Sequence, residues 1–239
     1  LAIIRDLLSQ CSPEERETLF RELRKHYLIH EFERVIGAPA EMILEAVHRA
    51  PELTRRMLRG VIADAAFRTL VVPTLEPLGW RDVTPAGNFA YDYKMDDGQG
   101  PLTVQVKLQR SERGAPVVKD GAKYGFGSEV FITETQKTRT GTDGDDNQTR
   151  PYRYGEFDIL AVSLQPSTNK WDRYMYTLGR WLLPGKKEGE VATFQPVAMP
   201  PNEFWTNDFA TAATWHRAND GGKRMAMRQD PNPKRRTRK

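Results

Sequence analysis

The stretch 92–107 reads DYKMDDGQGPLTVQVK, and it decides which fold the chain can adopt. Short runs of β-favouring residues lie on both sides of the turn sequence DDGQG at 96–100. We therefore expect a β-hairpin with strands over 88–95 and 102–109.

Alternation along these strands separates an apolar face of the hairpin from a polar face. Val104 and Val106 fall on one side of the second strand, and Gln105 and Lys107 fall on the other. The turn folds the first strand back so that Asp92 comes close to Gln105. The spacing therefore predicts that Asp92, Gln105 and Lys107 project from the same polar face.

These side chains suit the hydrolysis of phosphodiester bonds. Mg²⁺ prefers oxygen ligands, which Asp92, the Gln105 amide and the Val106 carbonyl would supply. A metal there polarises a phosphate and lowers the pKa of a bound water. Lys107 would hold the attacking water or stabilise the charge growing on the phosphate. The alternative is that the three side chains form the solvated face of an antiparallel sheet.

An Asp on one strand of a hairpin and an acidic-x-Lys triplet on the next resemble the PD-(D/E)XK nucleases, the family that includes most type II restriction endonucleases. Tyr91 stands where the motif has proline, and Gln105 replaces the acidic residue. The stretch ETQKTRTGTDGDDNQTRPYRYGEFDILAVSL at 134–164 is also similar to segments of these enzymes. The resemblance covers roughly residues 51–184.

The resemblance implies an α/β (α+β) fold, with a restriction-endonuclease-like mixed central sheet flanked by helices. It also implies Mg²⁺ as cofactor, sequence-specific cleavage of double-stranded DNA, a homodimer, and the cytoplasm of a bacterial or archaeal cell. A non-catalytic DNA-binding module and a repair or recombination nuclease of the same fold are the alternatives.

A helix predicted over 51–72 carries Asp64 in the apolar stretch GVIADAAF. PD-(D/E)XK nucleases tend to carry an acidic residue on the helix before the hairpin, so the resemblance implies that Asp64 completes the catalytic set. A buried carboxylate is costly unless a metal or Lys107 pairs with it. The alternative places Asp64 in solvent or against Arg68 at i+4.

The polar segment TRTGTDGDDNQT at 138–149 contains no apolar residue. Four basic residues flank it as candidates for contacts with DNA phosphates or guanine: Lys137, Arg139, Arg150 and Arg153. Tyr152 and Tyr154 could pack against the DNA backbone or a base. For each of these residues, the alternative is an exposed side chain in a loop that binds no ligand. Glu134 and Lys137 form an alternative catalytic pair, an E-x-x-K sequence displaced along the chain from the hairpin.

Three regions are expected. The pattern predicts an N-terminal helical region over 1–50, the resemblance implies a PD-(D/E)XK-like nuclease core over 51–220, and composition predicts a basic, disordered tail over 221–239. The tail carries a net charge of +7, whereas the whole chain carries +4. Such a basic tail favours nucleic acid as a partner. The single cysteine, Cys11, excludes an internal disulfide and a cysteine-cluster zinc site. Neither a secretion signal nor a membrane-spanning apolar run is expected.

Overall fold

The computed structural model describes residues 2–24, 26–28, 30–127, 129–137, 151–218 and 222–227. The described helices are α1 Ala2–Gln10, α2 Pro13–Arg24, α3 Phe32–Ile36, α4 Ala40–Arg49, α5 Glu52–Ala66, α6 Val72–Leu75, α7 Gln165–Thr168 and α8 Phe209–Arg217. The described strands are β1 Arg81–Asp82, β2 Tyr93–Asp96, β3 Leu102–Leu108, β4 Ser111–Glu112, β5 Ala115–Pro116, β6 Val118–Lys119, β7 Val130–Glu134, β8 Ile159–Ser163, β9 Tyr174–Leu178 and β10 Phe194–Ala198.

The chain divides into two compact units, with the boundary between Leu58 and Arg59 inside α5. The first unit is helical, and a capping box begins α2. The Ser12 hydroxyl accepts a hydrogen bond from the Glu15 main-chain nitrogen at 3.2 Å, and the Glu15 carboxylate accepts one from the Ser12 nitrogen at 2.8 Å. Helices α1, α2 and α4 bury none of their residues.

The second unit is built around a mixed sheet in the order β1-β2-β3-β8-β9. Strands β3 and β8 pair in parallel, and the other neighbours are antiparallel. One face packs against apolar side chains of α6, α8 and the π-helical turn Phe67–Val71. The prediction of a mixed central sheet with flanking helices is therefore confirmed.

The other face of this sheet packs against a second sheet, ordered β10-β7-β6. Strand β8 lies between the helices on one side and the second sheet on the other. All five of its residues are buried, as expected for a strand that is covered on both faces. Each fully buried Leu or Ile on it contributes about 1.5–3 kcal/mol relative to an exposed side chain. This second layer was not predicted from the sequence.

The hairpin forms as predicted, but its first strand begins later than expected. Strand β2 starts at Tyr93, whereas the alternation had placed the start at residue 88. Tyr91 packs against the core between the two sheets, whereas Tyr93 belongs to the core on the helical side. The chain bends before Tyr93, because the Tyr91 and Tyr93 rings pack against different cores.

The helix predicted over 51–72 is interrupted near its C-terminal end. It is α-helical only to Ala66, then forms the π-helical turn, and continues as α6. Pro73 lacks the N–H group that a regular α-helix would pair with the Thr69 carbonyl, so the turn before it widens.

The segment predicted as a disordered tail from residue 221 is ordered where it is first described. Met225 is 1% exposed within the core between the sheets, and its nitrogen donates to the Trp181 carbonyl at 2.7 Å. The Arg224 guanidinium lies over the Tyr154 ring at 4.2 Å. An apolar anchor inside a basic segment holds these residues, while residues 228–239 lie outside the described part. Within the described residues, no helix combines the length and apolarity needed to span a membrane.

Arg217 of α8 fixes the hairpin turn, and its loss should destabilise the fold. Its two terminal nitrogens donate to the Asp97 carboxylate at 2.6 and 2.8 Å. We expect Arg217→Ala to lower the free energy of unfolding by about 1.5–3 kcal/mol, as for a hydrogen bond to a charged group. Urea denaturation at neutral pH measures this change.

The exposed pair of Arg173 and Asp172, with a 3.8 Å separation, provides the control. Arg173→Ala should cost below about 0.5 kcal/mol.

The pair of Arg217 and Asp97 should also depend on pH. The hydrogen bond from Arg217 lowers the pKa of Asp97, so the ionised pair stabilises the fold above the ordinary carboxyl pKa, and this stabilisation is lost as pH falls. A cost of Arg217→Ala that is the same in acid and at neutral pH would contradict this assignment.

Candidate active site

The main-chain register of the hairpin brings Asp92 against β3, as predicted. The Asp92 carboxylate accepts a hydrogen bond from the Val106 nitrogen at 2.7 Å and a second from the side-chain nitrogen of Gln105. The same Gln105 nitrogen donates to the Val106 carbonyl at 3.1 Å. Asp92, Gln105 and the Val106 main chain therefore form one hydrogen-bonded cluster.

The parallel pairing of β3 with β8 determines the surroundings of Gln105 and Lys107. Gln105 lies beside Leu160, and Lys107 lies beside Val162, on the face that packs against the second sheet. Gln105 is 3% exposed and Lys107 is half-buried. The prediction that the two share a face is confirmed, but that face is largely covered rather than solvated.

Burial and neighbouring charge give Asp92 an unusual proton affinity. Burial, aided by the Asp64 carboxylate, raises the pKa of Asp92 from 3.8 to about 6, and Lys107 opposes the rise. Burial of Asp92 thus disfavours its charged form more than Lys107 and the two hydrogen bonds favour it. A bound cation would favour the charged form.

Lys107 is placed among acidic groups and against an aromatic ring. Burial lowers the pKa of Lys107, while the carboxylates of Asp92, Asp64 and Glu134 oppose that shift. Its ammonium group donates to the Tyr152 hydroxyl at 3.2 Å and lies 5.2 Å from the centre of that ring. Lys107 therefore lies on the same face of β3 as Gln105, and the charges of Asp92 and Asp64 favour its protonated form.

Asp64 lies near the end of α5, where two tyrosines hold the helix backbone. Tyr93 donates to the Asp64 carbonyl at 2.9 Å, and Tyr174 donates to the Ala63 carbonyl at 2.7 Å. The Oδ1 atom of Asp64 is buried and has no hydrogen-bond partner among the described residues. An unsatisfied buried carboxylate oxygen costs free energy, so this atom is a candidate ligand for a cation.

The donor atoms of this cluster fit a divalent cation that prefers oxygen. Asp64 and Asp92 supply carboxylates and Val106 supplies a carbonyl, which suits Mg²⁺ better than a softer metal. In the described residues, no three His, Cys, Asp or Glu side chains group together as a metal site. Gln105 joins the ligands only if its amide turns its oxygen toward them.

The structure gives the predicted DNA-contact residues different surroundings. Lys137 forms an ion pair with Glu156 at 2.5 Å. Arg153 is exposed, and its main-chain nitrogen donates to Glu156 at 2.9 Å. Arg139 and Arg150 lie outside the described residues.

The alternative catalytic pair of Glu134 and Lys137 is not brought together in the structure. Glu134 instead accepts a hydrogen bond from Arg110 at 3.1 Å, and Lys137 pairs with Glu156. Each member thus has an opposite charge from elsewhere. At Asp92, by contrast, burial outweighs the effect of Lys107 and raises the pKa.

Tyr152 and Tyr154 were predicted to contact DNA, but the structure turns both hydroxyl groups toward the protein. The Tyr154 hydroxyl donates to the Leu182 carbonyl at 2.8 Å, and Tyr152 is buried beside Lys107. It is 4% exposed, and its ring packs edge-on against Phe157 at 5.2 Å. Tyr152 immediately follows Pro151, which forms an isolated β-bridge to Gln136. No local pattern in the sequence indicates this contact, because it joins residues that are 45 positions apart.

No protein-family model and no curated protein matches this chain. Among solved structures, the bacterial homing endonuclease I-Ssp6803I is similar to it, with a TM-score of 0.37 and 20% sequence identity. The match covers 68% of this chain and 91% of that chain. A likeness of this degree assigns neither a fold family nor an activity, so the function rests on the geometry of the Asp92 cluster.

Proposed function

We propose that this protein is a Mg²⁺-dependent endonuclease that hydrolyses double-stranded DNA at specific sequences, as type II restriction endonucleases do. The observations that support it are the hydrogen bonds that Asp92 accepts from Gln105 and Val106, the place of Lys107 on the same face of β3, and the buried Oδ1 atom of Asp64, which has no hydrogen-bond partner among the described residues. The resemblance of the hairpin to the PD-(D/E)XK motif agrees with this chemistry.

Each side chain has a distinct task in the proposed reaction. Asp92, Asp64 and the Val106 carbonyl would hold the metal, with Gln105 as a neutral ligand. The metal supplies a Lewis acid for the phosphate and lowers the pKa of a bound water. Lys107 orients the attacking water and stabilises the negative charge that develops on the phosphate. Lys137, Arg139, Arg150 and Arg153 remain proposed contacts to DNA.

A non-catalytic DNA-binding module is the second candidate, and one contact favours it. The Gln105 nitrogen donates to both Asp92 and the Val106 carbonyl, which satisfies two of the proposed metal ligands without a metal. Such a module would bind DNA with a steep dependence on salt and would not cut it.

A homodimer is part of the proposal, because a palindromic DNA site requires two active sites related by a two-fold axis. The first unit exposes many large apolar side chains, including Ile3, Leu7 and Phe20. Apolar exposure of this extent is typical of a surface that another chain covers. We propose a second copy as that chain, and light scattering coupled to gel filtration tests it.

Digestion of DNA of known sequence with Mg²⁺, followed by mapping of the ends, tests the activity. We expect discrete fragments whose ends share one sequence. Binding without cleavage in either Mg²⁺ or Mn²⁺ would support the DNA-binding module instead. Cleavage only at junctions, flaps or gaps would indicate a repair or recombination nuclease.

A further inference from the structure

Tyr152 contacts two lysines in the interior of the second unit. The Lys107 ammonium group is 5.2 Å from the centre of the ring, and the Lys137 ammonium group is 5.3 Å from it. A ring attracts a cation placed over its face. One aromatic side chain thus contacts both the proposed catalytic lysine and a proposed DNA-contact lysine.

The hydroxyl group distinguishes the two contacts. Lys107 donates to it at 3.2 Å, whereas Lys137 pairs with the Glu156 carboxylate at 2.5 Å. A half-buried ammonium group needs acceptors to replace water. The hydroxyl oxygen provides one acceptor without adding a negative charge beside Asp92.

The protein holds Tyr152 firmly enough to act as a fixed support. Its carbonyl accepts a hydrogen bond from the Val191 nitrogen at 2.8 Å, and its ring is nearly perpendicular to Phe157, at 88°. The side chain is 4% exposed. A side chain locked by packing and main-chain hydrogen bonds can orient a flexible lysine.

We propose that Tyr152 is a positioning residue that holds the Lys107 ammonium group at the Asp92 cluster. The hydroxyl fixes the end of the Lys107 side chain, whereas Lys137 is held by its ion pair with Glu156. This inference deepens the proposed nuclease function and rests on it for its catalytic consequence. The contact itself can be tested without DNA.

Tyr152→Phe removes the hydroxyl and keeps the ring, so it is the variant that tests the proposal. We expect kcat for DNA cleavage to fall about 10- to 100-fold, the usual effect of losing a group that orients an active-site side chain. KM should change less than about twofold, because Tyr152 is buried and does not contact the substrate.

Tyr154→Phe is the matched control. Tyr154 donates to the Leu182 carbonyl at 2.8 Å, two residues from Tyr152 along the same segment. Its loss removes a tyrosine hydroxyl bond of the same kind without a contact to Lys107, so kcat should remain within about twofold. Equal losses of kcat in the two variants would overturn the proposal, since that result indicates a general effect on the fold.

Carbon-13 relaxation of the lysine side chains provides a measurement that does not depend on cleavage. In Tyr152→Phe we expect the order parameter of the Lys107 ε-carbon to fall toward that of the exposed Lys119, with no change in Tyr154→Phe. An unchanged order parameter would overturn the proposal. If the wild-type protein does not cleave DNA but the order parameter falls, the nuclease function fails and the positioning of Lys107 stands.

Discussion

Replacing Lys107 with alanine is expected to slow Mg²⁺-dependent DNA cleavage by about 100- to 1,000-fold, the usual cost of removing one group that stabilises a transition-state charge. Lys107 is a half-buried cation whose protonated form is favoured by the carboxylates of Asp92 and Asp64. Its removal leaves these carboxylates without their positive neighbour and leaves the phosphate charge without a counter-ion. Single-turnover cleavage at saturating enzyme measures the effect on the chemical step.

DNA binding separates this effect from a loss of affinity. With Ca²⁺ in place of Mg²⁺, we expect Lys107→Ala to bind DNA within a few-fold of the wild-type protein. Lys119→Ala, which changes an exposed lysine on β6, should cleave at the wild-type rate. Full cleavage by Lys107→Ala would show that the Asp92 cluster is not the active site.

Replacing Asp92 with asparagine is expected to abolish both cleavage and the stabilisation of the protein by Mg²⁺. Asp92 is a half-buried carboxylate whose pKa is raised to about 6, mainly by desolvation. Its charged form is therefore disfavoured in the folded protein, and metal-free stability should fall as pH rises from about 4 to about 6. A shift of this size corresponds to a loss of at most about 3 kcal/mol.

The metal should reverse this loss, because it binds the ionised carboxylate. We expect the rise in thermal midpoint caused by Mg²⁺ to be small at pH 5 and to reach its full size above pH 7 in the wild-type protein. Asp92→Asn should show no rise at either pH. Asp172→Asn, which changes a half-exposed carboxylate paired with Arg173, should behave as the wild type.

A Mg²⁺-induced rise that persists in Asp92→Asn would place the metal elsewhere. A rise in the wild type that does not depend on pH would contradict the raised pKa of Asp92. Loss of cleavage with an intact Mg²⁺ effect would separate catalysis from metal binding and would remove Asp92 from the ligand set.

Features that depend on neighbouring residues could be read from the sequence. Alternation along 102–109 predicted that Gln105 and Lys107 share a face, because successive side chains of a strand point to opposite sides. The turn at 96–100 predicted the approach of Asp92 to Gln105, and the pattern of Ser12 and Glu15 predicted the start of α2. Each of these predictions required only the local geometry of the chain.

The tertiary structure decided what surrounds those residues. Three contacts join distant parts of the chain: the pairing of β3 with β8, the burial of Tyr152 against Lys107, and the anchoring of Met225. Tertiary packing also leaves the Oδ1 atom of Asp64 buried without a hydrogen-bond partner among the described residues. Strand alternation gives each side chain a face, but it does not specify which layer covers that face. The covering layer decides burial, and burial sets the charge state and ligand requirement of Asp92.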